Sequence, residues 1–444
     1  MPGAEDLGFP SFSDEEIADL FAALKSLPSI AVAVSGGPDS MALLMLLVRW
    51  CNIIGNNAPA LYVLSVDHGL RSNSATEVDL VAEVCQQYGL KHQAFFWDGK
   101  KSKGNISAKS RDARYDLMCS WCQQQAISHL LVAHTLDDQA ETVLLRLARG
   151  SGVDGLSAMA LSRLWNSTLI YRPLLGVERS RLRHLLEDVS CPYVTDPSNH
   201  NLKYDRVKIR QALEVLEPLG ITSQALADTA DRLRQAREAL DVMAAQAIAE
   251  TVVIDNAGYC VLSAHDLVTY PYEIKRRVVG RILRAVAGRD YAPTHSSLDS
   301  LIEWIVDQGT STRTLGGCLF MMRHQNIWVM RETGRNDLPE MFIEPGQCVL
   351  WDNRMKISLS VESETPLTIK ALGVENYARL KPGLESNLHV PSALGAGLPS
   401  FWHDHELIAV PHLNYCIARP VYQIDACFAN SAQLLQVHGN KNLR

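Results

Sequence analysis

Apolar positions in the first half of the chain alternate between short unbroken runs and stretches spaced three and four apart. Ser13 to Ser26 carries Ser and Asp caps with Ile17, Leu20, Phe21 and Leu24 at helical spacing, which predicts a helix ahead of the first strand. The run Ile30 to Val34 predicts a buried parallel strand, Ser35 to Pro38 a tight turn, and Asp39 onward a helix that is apolar on nearly every face. The same reading gives a second strand at Leu61 to Val66, a helix at Ala75 to Tyr88 and a strand at His92 to Trp97. A helix at Ser107 to Gln125, a strand at Leu130 to Ala133 and a helix at Asp138 to Ala148 follow. Strands alternating with helices predict an α/β fold with a doubly wound parallel sheet.

Regularity falls off after Gly150-Ser151-Gly152. Arg172-Pro173-Leu174-Leu175 precedes a basic helix from Glu178 to Asp188, and Asp196 to Arg210 closes a first domain expected over 1–218. Leu226, Leu233, Ala236, Leu240, Met243 and Ala247 mark one long amphipathic helix from Ser223 to Glu250. Helices at Tyr272 to Ala287 and Ser297 to Val306 complete a mainly helical second domain, 219–335. Within it, Thr310 to Glu332 alternates around Gly316-Gly317 as a β-hairpin would. Short strands between Pro- and Gly-rich turns in Glu340 to Val361 and Leu407 to Tyr422 predict a small α+β C-terminal domain, 336–444.

Composition narrows the class. Met1 to Ser13 is acidic and lacks the basic, apolar and small-residue succession of an export signal, and Met41 to Val48 is too short to cross a bilayer. A soluble, cytoplasmic protein is expected, with its 10 cysteines reduced. The net charge of −7 argues against a uniformly basic coat. Yet Lys100 to Val215 holds 17 Lys and Arg against 12 Asp and Glu, as a local polyanion site would.

The chemistry begins where the first strand meets its glycines. Gly36 and Gly37 let the backbone approach an anion, and the following helix aims unpaired amides and its positive end at it. Ser35 and Ser40 can add hydroxyl donors beside Pro38. Asp39 is acidic in a phosphate site, and a Mg²⁺ ion bridging carboxylate and phosphates accounts for it. No Gly-Lys-Ser/Thr follows, so this is not the ATPase P-loop, and no third glycine completes a dinucleotide fingerprint. Ser35-Gly36-Gly37-Pro38-Asp39-Ser40 resembles the SGGxDS signature of PP-loop ATP pyrophosphatases, which cleave ATP between the α and β phosphates.

Further clusters fall at the neighbouring strand ends. Asp67-His68-Gly69-Leu70-Arg71 follows the second strand and reads either as a capped turn or as a nucleotide-facing loop. In Ala133-His134-Thr135-Leu136-Asp137-Asp138-Gln139-Ala140-Glu141-Thr142, Asp138 and Glu141 lie three apart on one helical face. Two such acids can hold an amine cation and then accept its proton; a capping role for the acids is the competing reading. Arg111 and Arg114 share a face of the helix within Asn105 to Tyr115, and Arg206 and Arg210 lie four apart in Arg206-Val207-Lys208-Ile209-Arg210. Guanidinium forks suit phosphate or carboxylate.

Together these segments, with Leu144-Leu145-Arg146-Leu147-Ala148-Arg149-Gly150 and Asp196-Pro197-Ser198-Asn199, resemble the tRNA(Ile)-lysidine synthetase family over about the first 215 residues. The resemblance implies that ATP adenylates the carbonyl oxygen of the first anticodon cytidine in an isoleucine tRNA with a CAU anticodon. The side-chain amine of free L-lysine then displaces AMP. It further implies that Ser35, Gly36, Gly37, Pro38, Asp39 and Ser40 hold ATP, with Mg²⁺ on Asp39. By the same resemblance Asp138 and Glu141 hold and deprotonate the lysine amine, with Asp137 and His134 nearby. Arg111, Arg114, Arg206 and Arg210 meet substrate carboxylate or phosphate, and the second and third domains contact tRNA. No membrane is implied, and a homodimer is admitted. The chain departs from the family where Thr135 replaces a second His, and at Val207 and Lys208. A rival resemblance rests on Cys119-Ser120-Trp121-Cys122, since tRNA 2-thiocytidine enzymes of the PP-loop class carry an iron–sulfur cluster on cysteines. A cluster wants three or four ligands, and no second CxxC is present.

Overall fold

The computed structural model describes residues 11–67, 74–97, 106–195, 205–289, 293–307, 309, 311–334, 338–363, 365–385, 388, 390–417 and 422–435. Two compact units part between Arg237 and Glu238, inside one long helix.

The first unit is built in chain order from α1 (Asp14–Leu20), β1 (Ser29–Ala33), α2 (Pro38–Ile54), β2 (Ala60–Asp67), α3 (Ser74–Gln87), β3 (Lys91–Phe96), α4 (Ile106–Gln124), β4 (His129–Leu131) and α5 (Leu136–Leu147). It continues through α6 (Val153–Leu156), β5 (Ser162–Trp165), β6 (Thr168–Tyr171), α7 (Arg179–Asp188), α8 (Asp205–Leu216) and the start of α9 (Ser223–Thr251). α1 starts on a capping box: Ser13 Oγ accepts from the Glu16 amide at 3.2 Å, and Glu16 Oε2 accepts from the Ser13 amide at 2.9 Å. Glu16 also receives Arg181 Nη2 at 2.8 Å, tying α7 to α1.

The six strands lie in the order β3-β2-β1-β4-β6-β5, parallel except for β5 against β6. Strand alternation sends Ile30, Val32 and Val63 to one face, where they pack with Phe21, Leu44, Trp50 and Leu182. Ala31, Leu64, Leu130 and Ile170 go to the other, against Met118, Cys119 and Cys122 of α4. The sheet is therefore doubly wound, as its pattern predicts. α2 buries ten residues between Ser40 and Trp50 because both its flanks are covered, which explains its unbroken apolar run. The β5–β6 pair is not visible in the periodicity. Ser-Arg-Leu-Trp of β5 sits on a sheet edge, where one neighbour imposes no full apolar face.

Strand order places a topological switch point at β1 and β4: the chain leaves β1 for β2 on one side and returns to β4 on the other. In open parallel sheets the crevice above such a point receives ligands.

In the second unit, a five-stranded antiparallel sheet runs Val252–Asp255, Tyr259–Ser263, Asn326–Arg331, Cys318–Arg323, Arg313–Leu315. Helices Tyr272–Ala287 and His295–Val306 share its core. The hairpin expected around Gly316-Gly317 is a three-stranded meander: those glycines turn at φ +61° and +89°, and His324-Gln325 turn again at +47° and +65°. Beyond it, five-stranded and three-stranded antiparallel sheets share one continuous core with it, through Phe320, Trp351, Phe401 and Phe428. No helix among the described residues is long and apolar enough to cross a membrane.

Candidate active site

The glycine turn sits at the carboxyl end of β1. Gly36 takes φ +81°, and a Cβ there would stand 3.1 Å from the Glu77 carbonyl oxygen, so both backbone conformation and space select glycine. The Val194 amide donates to the Gly36 carbonyl at 2.9 Å, fixing the turn from the other side. Ser40 Oγ accepts from the Ser35 amide at 3.2 Å and donates to the Gly37 carbonyl at 2.9 Å. Gly37 is the N-cap of α2 and Pro38 its first residue, and no side chain caps this terminus. The first-turn amides of a long buried helix thus open onto the switch point, an arrangement suited to phosphate.

At the end of β4, Thr135 caps α5. Its hydroxyl accepts from the Asp138 amide at 3.4 Å, and Asp138 Oδ2 accepts from the Thr135 amide at 2.9 Å and hydroxyl at 3.1 Å. This reciprocal cap is what Thr135 does in place of a second histidine. One helical turn on, Glu141 is completely buried. Its Oε1 accepts from Arg210 Nε at 2.6 Å and from Arg179 Nη1 at 3.4 Å, while Oε2 has no hydrogen-bond partner among the described residues.

Arg179, the first residue of α7, joins the two halves. Nε donates to Asp39 Oδ2 at 3.1 Å and Nη2 to Asp138 Oδ1 at 3.1 Å, so three carboxylates from α2 and α5 converge on one guanidinium. Its own amide donates to Asp137 Oδ2 at 2.8 Å. Asp137 therefore faces α7 and holds its first amide, while Asp138 and Glu141 face the pocket.

Burial alone would ease the proton off Arg179, but the carboxylates of Asp138, Asp39, Glu141 and Asp137 reverse this and hold it well above the ordinary value. Burial raises Asp39, the neighbouring Asp138 charge adds to the rise, and Arg179 offsets only part. Asp138 is buried too, yet Arg179 and the Thr135 amide bring it below the usual carboxylate range.

A basic wall adjoins the acids. His134 is pushed down to about 3, first by burial and then by the Arg172 charge, with Arg111 and Arg206 adding to it. It is therefore a neutral imidazole, and its Nδ1 has no partner among the described residues. Arg172, 4% exposed, donates Nη1 to the Ala160 carbonyl at 2.9 Å and leaves Nε unpartnered among those residues. Arg114 lies beside Arg111 on α4, likewise with a buried Nε lacking a partner there.

The structure thus brings together Asp39, Asp138, Glu141 and Arg210 directly, and sets His134, Arg111 and Arg206 within electrostatic reach of Asp138 or of one another. Arg179 and Arg172 are additions that the motifs do not reveal. The tetrapeptide Arg172-Pro173-Leu174-Leu175 and the basic character of α7 were the only local signals. Val207 is buried and Lys208 is exposed beside Asp205, at 4.0 Å, so this departure from the family pattern serves packing and surface. His68 to Arg71 and Asp196 to Asn199 lie outside the described residues. Cys119 and Cys122 are wholly buried in the core under α4, and burial pushes their thiols up to about 11 and about 12. They are packing groups there, the opposite of exposed, thiolate-forming cluster ligands. No cluster of three or more metal-ligating side chains occurs among the described residues.

A doubly wound parallel sheet with an uncapped SGGPDS turn at its switch point defines a PP-loop nucleotide-binding protein, and residues 11–216 match the PP-loop domain family. The tRNA(Ile)-lysidine synthase of Ruegeria pomeroyi is 38% identical over 382 residues, spanning 86% of this chain and 88% of the relative. That of Wolbachia pipientis is 32% identical over 388 residues, spanning 87% and 89%. The chain belongs to the tRNA(Ile)-lysidine synthase family.

Proposed function

We propose that the protein ligates free L-lysine to the cytidine at the first anticodon position of an isoleucine tRNA with a CAU anticodon, converting ATP to AMP and pyrophosphate. The observation that carries this reading is the convergence of Asp39, from the phosphate turn, with Asp138 and Glu141 at one switch point, in a chain of this family. The turn formed by Ser35, Gly36, Gly37, Pro38 and Ser40 receives the phosphates. Asp39 fits Mg²⁺, because its Oδ1 is buried without a hydrogen-bond partner among the described residues and is a hard oxygen donor. When bound there, Mg²⁺ would neutralise phosphate charge.

In the first step the cytidine carbonyl oxygen attacks the α-phosphorus and the bond to pyrophosphate breaks. In the second the lysine side-chain nitrogen attacks the activated ring carbon and AMP leaves. Asp138 and Glu141 hold the ammonium group, and Glu141 takes the proton that makes it nucleophilic. Asp138, held ionised, suits binding; Glu141, whose Oε2 has no partner among the described residues, keeps one oxygen free to accept a proton. His134, neutral, can accept or donate one hydrogen bond without adding charge. Arg111, Arg114, Arg206 and Arg210 supply positive charge for the lysine carboxylate and the RNA phosphates. One copy of the chain supplies every group in this reading. Residues 1–218 carry the chemistry, and 219–335 and 336–444 grip the tRNA.

The test is incubation of the protein with ATP, labelled lysine and isoleucine tRNA bearing a CAU anticodon. Label in the RNA, dependent on ATP, is expected; its absence refutes the reading.

A further inference from the structure

Arg179 is the one member of the acidic pocket that this chemistry leaves without a task. Its side chain is 14% exposed and its fork spans Asp39, Asp138 and Glu141 at 3.1, 3.1 and 3.4 Å. These are the same three carboxylates to which the proposed function assigns a divalent cation and an ammonium group. The guanidinium thus stands where positive charge has to arrive, and in a buried pocket its charge opposes a second cation brought to the remaining oxygens of the same carboxylates.

The backbone of Arg179 is anchored independently of its side chain. Its amide is held by Asp137, and two residues on Arg181 binds both Glu16 and the Ser11 carbonyl. A change at the guanidinium can therefore leave α7 in place. Two oxygens in the pocket, Asp39 Oδ1 and the fully buried Glu141 Oε2, have no partner among the described residues, so the pocket holds more acceptor capacity than Arg179 and Arg210 fill.

We propose that Arg179 is a positioning residue acting as the resident counter-ion of this pocket. It keeps Asp39, Asp138 and Glu141 assembled while the pocket is empty, and yields Asp39 to the metal–nucleotide and the α5 acids to the lysine ammonium. This rests on the proposed function. Each cationic ligand then binds against Arg179. A neutral side chain at this position tightens cation binding while loosening the arrangement of the acids.

The experiment titrates Mn²⁺ by electron paramagnetic resonance into the full chain without ATP or RNA, comparing the unsubstituted protein, Arg179→Gln and Arg179→Lys. Arg179→Gln is expected to lower the Mn²⁺ Kd at least tenfold. Arg179→Lys is expected to lower it less, since an ammonium keeps the charge but reaches fewer oxygens than a fork. In steady state, Arg179→Gln is expected to lower the KM for lysine at least threefold while kcat falls, a split that general loosening of the fold does not produce. Unchanged or weaker Mn²⁺ binding in the folded variants overturns the proposal. Should Arg179→Gln be unfolded by circular dichroism, the direction of the shift in Arg179→Lys decides. An unsubstituted protein that forms no lysidine, beside tighter Mn²⁺ binding in Arg179→Gln, refutes the functional reading alone. Normal ligation with unaltered Mn²⁺ affinity refutes the counter-ion role alone.

Discussion

Replacing Glu141 by Gln separates the two half-reactions. Gln keeps the volume of a completely buried side chain and an oxygen able to accept from Arg210, but removes the charge. Losing one member of a buried ion pair commonly costs about 3–5 kcal/mol. Here the loss is smaller: Arg179 retains Asp39 and Asp138, and Arg210, 34% exposed, can recover water. What is lost is close to the difference between a charge-assisted and a neutral hydrogen bond, about 1–2 kcal/mol. For a unit of this size that lowers Tm by roughly 2–8 °C. A fold with about 5–15 kcal/mol of stability survives it. Loss of a positioned base slows proton transfer by about 10²–10⁴-fold, equivalent to roughly 3–5 kcal/mol of barrier. In a single-turnover assay, ATP labelled at the α-phosphate first adenylates the tRNA without lysine, and labelled lysine is then added. Adenylation within about threefold of the unsubstituted rate and transfer slowed at least a hundredfold are expected. Asp39→Ala, by contrast, should abolish adenylation itself. Equal loss of both steps in Glu141→Gln would refute the role given to Glu141.

Gly36→Ala forces an L side chain into φ +81° against the Glu77 carbonyl, costing about 1–2 kcal/mol before any contact. ATP affinity measured by calorimetry should fall at least tenfold, and an unaltered affinity would remove the turn from the nucleotide site. Anaerobically purified protein should contain no stoichiometric iron or sulfide, and the double change Cys119→Ala, Cys122→Ala should retain ligation at a lower Tm; a full cluster would restore the thiolation reading. His134 is held neutral when folded but titrates near 6.5 when unfolded, so its contribution to stability is complete above that pH and is lost as pH falls toward about 3. Urea midpoints at pH 7.5 and 5.5 should reveal about 1.4 kcal/mol of that loss, and His134→Gln should abolish it. An identical pH slope in both proteins would show that His134 is not buried neutral.

Features carried by neighbouring residues were legible in the sequence. The strand, turn and helix from Ser29 to Ile54 can be read because periodicity changes at a glycine whose positive φ is a local demand. Asp138 and Glu141 can be assigned to one face because helix geometry fixes where i and i+3 point. Helix geometry thus sets Asp137 apart from that pair without saying what it meets. Only the packing of α7 against α5 sends Asp137 to an amide and leaves the other two for the pocket.

Strand order was not legible, since parallel pairing is set by crossovers dozens of residues long and leaves no mark on the runs themselves. Nor was the edge pair β5–β6, whose single neighbour imposes no period. Arg179 lies 140 residues from Asp39 and about forty from Asp138 and Glu141, and nothing in its own segment separates it from the other arginines of a basic helix. The sequence by itself determined the phosphate turn, the acidic face and the family. The tertiary structure alone decided that these meet at a switch point around one guanidinium, because charge neutralisation in a buried pocket depends on distance in space, which spacing along the chain does not encode.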